Sequence, residues 1–100
     1  MLAHNVFFTL ADPTPAAIDH MLAACRKYLN DHPGVVFFAT GRLEADLDRP
    51  VNDRDFHVAL TVVFDTRANH DLYQVAPRHL QFIDENKPSW AKVRVFDSID

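Results

Sequence analysis

Apolar positions along the chain recur at two periods, and the switches between them mark the elements. From His4 to Leu10 the residues alternate. His4, Val6, Phe8 and Leu10 fall on one side of an extended strand, and Asn5, Phe7 and Thr9 on the other. Both sides carry Phe, so neither is built for open water. Asp12-Pro13-Thr14-Pro15 turns the chain. Thr14 then starts a helix, its hydroxyl capping free amides while Pro15 sits where a missing N–H costs nothing. Ile18, Met21, Leu22, Cys25 and Leu29 follow at steps of three and four, the face of an amphipathic helix. Asn30 to Gly34 is a run of breakers. Val35 to Gly41 reads as a second strand, apolar on both faces, and Arg42 to Asp55 as a polar loop around Pro50. Phe56 to Phe64 is a third strand, with Phe56, Val58, Leu60, Val62 and Phe64 on one face and His57, Ala59, Thr61 and Val63 on the other. A second helical stretch starts at Asp65-Thr66 and runs to about residue 86, and Trp90 to Asp97 is the last strand.

The order β-α-β-β-α-β is the ferredoxin-like pattern, an α+β fold with a four-stranded antiparallel sheet. Right-handed crossovers put strands one and three in the centre and both helices on one sheet face. The other face carries Phe7, Ala59 and Val63 beside polar residues, and a second copy of the same sheet is the simplest cover for it. By strand parity His57 belongs to that second face, away from the helices.

The second helical stretch holds the candidate chemistry. Leu72, Val75, Ala76, His79, Phe82 and Ile83 follow at helical spacing, so His79 occupies a position where a core residue is expected. On an unbroken helix Tyr73 and His79 would point roughly 120° apart. Pro77 lies between them, and a kink there swings the phenol towards the imidazole. A histidine with a reference pKa of about 6.5 can take a proton from carbon beside a carbonyl, and a phenol can hold the oxygen on which charge develops. The plainer reading makes His79 a hydrogen-bonded core histidine and Tyr73 a packed helix-edge ring. His4 is read as structural, His20, His32 and His70 as solvated, and Trp90 as an anchor for the last strand.

Composition narrows the function. One hundred residues form one domain, residues 1–100, and 48% hydrophobic with 24% charged residues is ordinary for a globular protein. A net charge of −4, scattered basic residues and a third strand without Lys or Arg argue against nucleic acid as a partner. No apolar run reaches membrane length and the start is not that of a signal peptide, so no membrane is expected and the cytoplasm is the default location. The single cysteine, Cys25, lies in the apolar stripe and reads as an inert packed thiol. Asp46, Asp48, Asp53 and Asp55 fail the calcium-loop pattern, because Pro50 stands at a ligand position and the required glycine is missing. No metal is expected.

The opening strand from His4, Pro33-Gly34-Val35, Gly41, Phe56 to Phe64, and above all Tyr73…Pro77-Arg78-His79…Phe82 resemble the stress-responsive dimeric α/β barrel (Dabb) family over nearly the whole chain. The resemblance implies a homodimer in which two sheets pack as a barrel, with a pocket between the helices and the sheet. It also implies an acid–base pair at His79 and Tyr73, with His4, Phe8, Val58 and Phe82 lining the pocket and no metal or organic cofactor. The best-understood relatives are plant polyketide cyclases that perform an aldol condensation. This chain departs from them with Ala76 before the proline, where histidine is common, and with Val58 at the cyclase's strand-three histidine. A cyclase of the plant type is therefore not implied. Two functions remain open: a cofactor-free enzyme acting on a small, largely apolar carbonyl compound, and a non-catalytic stress-response dimer that binds a small ligand or protects.

Overall fold

The computed structural model describes residues 1–100. The elements run β1 (Leu2–Leu10), α1 (Pro15–Leu29), β2 (Val35–Arg42), β3 (Val58–Phe64), α2 (Arg67–Val75), α3 (Pro77–Asn86) and, after one 3-10 turn, β4 (Trp90–Ile99). The four strands form one antiparallel sheet in the order β2-β3-β1-β4, the ferredoxin-like arrangement. Phe8 pairs with Val58, Val6 with Leu60 and His4 with Val62, so the alternate residues of the two central strands share one face. That face is dry. Leu2, Val6, Phe8, Leu10, Val58, Leu60, Val62 and Phe64 are all buried there.

α1 forms where its caps dictate. The Thr14 hydroxyl accepts from the Ala17 amide at 3.1 Å, and Pro15 opens the helix. Met21, Leu22, Cys25 and Leu29 are buried against the sheet. Burial pushes the Cys25 thiol up to about 11, which leaves it protonated and unreactive. After α1 the chain turns through Asp31 (φ 60°) and Gly34 (φ 81°). Gly34 is needed for space as well as for its backbone: a Cβ there would stand 2.4 Å from the Asn69 side chain.

The second helical stretch departs from the expectation of one kinked helix. It is two helices, divided at Ala76, which is extended (φ −64°, ψ 140°) and serves both as the end of α2 and as the cap before α3. Pro77 causes this, because its ring excludes the helical conformation from the residue before it. The break resets the helical phase. Leu72 and Val75, expected on the buried stripe, are 61% and 67% exposed, and Tyr73 is the residue of α2 that is buried. α3 keeps the expected inward face, with His79 and Phe82 buried and Asn86 beside them.

The opposite sheet face has no helix on it. Phe37 and Phe96 are each 55% exposed there, beside half-buried Phe7, Ala59 and Val63. His57 lies in a bend just before β3 instead of within the strand. Its Nδ1 accepts the Leu10 amide at 2.9 Å, where β1 slips register against β4. No helix is long and apolar enough to cross a membrane.

Candidate functional site

A cavity of about 160 Å³ lies between α2, α3 and the sheet. β1 contributes His4, Val6 and Phe8, β3 contributes Leu60, and β4 contributes Trp90, Val93 and Val95. Tyr73 and Gln74 come from the last turn of α2, His79, Phe82 and Ile83 from α3, and Leu29 from α1. Such a wall, mostly apolar with a few convergent polar groups, is the usual form of a small-molecule site. Its size is close to that of an engineered cavity of about 150 Å³ that takes up benzene. Val93 and Val95, 38% and 50% exposed, give the cavity an apolar rim on the β4 edge.

Of the residues singled out by sequence, Tyr73, His79, His4, Phe8 and Phe82 come together on this cavity, and Val58 does not. Val58 is fully buried within the main core at the start of β3, two residues before Leu60, where it pairs with Phe8 and Arg42. Leu60 lines the cavity from β3 in its place.

The break at Ala76 builds the polar end. In a continuous helix the Gln74 carbonyl would accept an amide from the following turn. Here the His79 ring takes it, with Nδ1 3.1 Å from the Gln74 oxygen. A carbonyl only accepts, so Nδ1 carries the proton and Nε2 keeps its lone pair. Burial lowers the His79 pKa, outweighing the Gln74 carbonyl that raises it, and the nearby rings of His4, His32 and His70 lower it further. The imidazole is therefore a neutral base near pH 7.

Tyr73 is held by rings on several sides. Its ring centroid lies 4.5 Å from His79, 4.9 Å from His32, 5.0 Å from Phe64 and 6.0 Å from His4. The ring is fixed, yet its buried hydroxyl has no hydrogen-bond partner in the protein. Burial raises its pKa, so it stays a proton donor.

Three residues gained a place that sequence reasoning did not give them. Asp97, from β4, bonds His4 Nδ1 at 2.5 Å and so directs the other ring nitrogen of a buried histidine. Burial still outweighs Asp97 and lowers the His4 pKa. His70, read as solvated, has a side chain only 12% exposed and packs edge-on against His4 at 5.2 Å. His32, also read as solvated, is buried beneath the turn after α1, with Nε2 2.7 Å from the Tyr28 carbonyl. The Asp97 contact had one sequence signal, the antiparallel pairing of the first and last strands. His20 is exposed as expected.

A ferredoxin-like α+β domain with a histidine- and tyrosine-bearing cavity under a broken helix defines the class. The chain belongs to the family described as the stress responsive A/B barrel domain (Dabb), whose model matches residues 2–100. No curated protein sequence matches it. Among solved structures, a Dabb family protein with a ferredoxin-like fold from Mesorhizobium loti is similar at 24% identity, covering 99% of this chain and 95% of the other, with a TM-score of 0.81. The hydroxynitrile lyase from Passiflora edulis is similar at 25% identity, with 99% and 92% coverage and a TM-score of 0.77. A dimeric ferredoxin-like protein of unknown function from Thermobifida fusca is similar at 19% identity, with 99% and 90% coverage and a TM-score of 0.79.

Proposed function

We propose that this chain forms a homodimer through its open sheet face and that each subunit binds a small, largely apolar carbonyl compound in the cavity for acid–base chemistry. The observation that carries the reading is the pair on the cavity wall, Tyr73, whose buried hydroxyl has no protein partner, and a neutral His79, 4.5 Å ring to ring. A buried hydroxyl without a partner costs folding free energy, about 1–3 kcal/mol, and a ligand oxygen would recover it. In this chemistry His79 Nε2 removes a proton from the substrate while Tyr73 donates a hydrogen bond to the carbonyl oxygen as charge develops there. His4, oriented by Asp97, offers a second proton carrier at the cavity wall. A lyase among the relatives of the same fold supports catalysis, and a dimeric relative supports the assembly.

The test uses a panel of single-ring and branched aliphatic aldehydes, ketones and hydroxynitriles, followed by absorbance for turnover and by calorimetry for binding. The expected result is turnover in the natural chain that His79→Ala abolishes while the protein stays folded by circular dichroism. Binding without turnover, weakened by the same change, would replace the enzyme with a ligand-binding dimer. No binding of any probe would end both readings.

A further inference from the structure

His4, His70 and Asp97 come from β1, α2 and β4, so nothing in their spacing along the chain marks them as a set. The fold brings one donor atom of each within 4.8 Å of the others. We propose that these three side chains bind a divalent first-row transition metal ion of the zinc type. Two imidazoles and one carboxylate are a ligand set such ions accept, with a fourth position left for water or another small ligand. Bonds of about 2.0–2.1 Å in a tetrahedral site place donors roughly 3.3 Å apart. The 2.5 Å between His4 Nδ1 and Asp97 Oδ1 therefore has to open slightly, and His70 has to close in.

The side chains that must move are the ones able to. The Asp97 side chain is 44% exposed, whereas His4 at 6% is the fixed point. His4 becomes a ligand through Nδ1 by carrying its proton on Nε2. His70 has the outer support typical of a metal-binding histidine. Its Nδ1 lies 3.0 Å from Asp71 Oδ1, which accepts a hydrogen bond from the ring N–H and so leaves the lone pair on Nε2. Nε2 now faces the Gln74 amide at 3.2 Å, a neutral contact that an ion can displace. His79 and Tyr73 are not among the ligands, so the proposed base and hydrogen-bond donor are independent of this site, whereas an ion on His4 and Asp97 would take His4 out of proton transfer. His4 belongs to both the cluster and the cavity wall, which puts the ion next to the ligand site.

The experiment titrates the untagged, chelator-treated chain with Zn²⁺ by calorimetry and with Co²⁺ by visible absorbance. One ion per chain is expected, with the intense visible bands of four-coordinate cobalt. His70→Ala and Asp97→Asn should each weaken binding by at least about 10-fold. Ring-nitrogen NMR of the natural chain serves if a variant misfolds: Zn²⁺ should shift His4 and His70 and leave His20 and His57 in place. No binding, unchanged affinity in both variants, or shifts confined to His20, His32 or His57 would overturn the assignment.

Discussion

Replacing Tyr73 by Phe should make this protein more stable while depriving it of function. Tyr73 is 2% exposed, and its ring packs among His79, His32, Phe64 and His4. Phe keeps every one of those ring contacts and removes only a hydroxyl that no protein group satisfies. Leaving a buried polar group unpaired costs about 1–3 kcal/mol, and removing the hydroxyl also gives up its packing contacts, so a gain of about 1 kcal/mol is expected. In a domain of this size that raises Tm by about 4–8 °C. Thermal melts followed by circular dichroism measure it, with both proteins at one concentration because the proposed dimer would make Tm concentration-dependent. Probe binding by calorimetry should weaken in the same variant, the pattern of a group retained for function at a cost in stability. A fall in Tm would refute the reasoning, since it would mean that the hydroxyl is satisfied in the ligand-free fold and is not held for a ligand.

Acidification should destabilise the protein through His4 and His79. Both have folded pKa values lowered, first by burial, so between those values and about 6.5 the unfolded chain holds more protons. Their contribution is present above about pH 6.5 and is lost as pH falls through the folded values. The difference in Tm between about pH 7.5 and pH 5.5 should shrink in His79→Gln, and an unchanged difference would contradict the assignment of a neutral buried ring. Val63→Asp puts a charge on the open sheet face, opposite Ala3 and Phe37. Light scattering should then fall from twice the 11.4 kDa chain mass towards one, with far-UV circular dichroism retained, and a dimer that persists would move the interface elsewhere.

Strands and α1 were legible in the sequence because their signals are local. Alternation over β1 and β3 shows which residues share a side, and Thr14-Pro15 marks a helix start by itself. β3 starts only at Val58, however, and Phe56, read onto the Val58 side, packs against Phe7 instead. Depth along a strand is not local. Parity assigns Val58 and Leu60 to the same face, but only the placement of α3 over the sheet decides that Leu60 lines the cavity and Val58 fills the core. His32 shows the same limit in a turn. Breaker residues around it read as surface, yet the positive φ of Asp31 folds the chain back so that the ring lies under Tyr73. The His4–Asp97 contact spans 93 positions and depends on the register of the two terminal strands, which no window on the sequence contains.

The Pro77 break was visible as a location, and its consequence was not, because counting a stripe from Leu72 to Ile83 assumes one continuous axis. Once Ala76 is forced into an extended conformation, α2 and α3 have independent phases, and the residues that face inward are Tyr73 from one and His79 from the other. The same break removes a helical amide from the reach of the Gln74 carbonyl, and the His79 ring occupies it. That single contact fixes where the ring sits and which nitrogen carries its proton, while burial beside the cavity keeps it uncharged. A proline one position after an alanine thus sets the place, tautomer and charge of the candidate base, although neither residue has any chemistry of its own. Restoring a continuous helix would therefore change the site more than substituting most of its apolar walls.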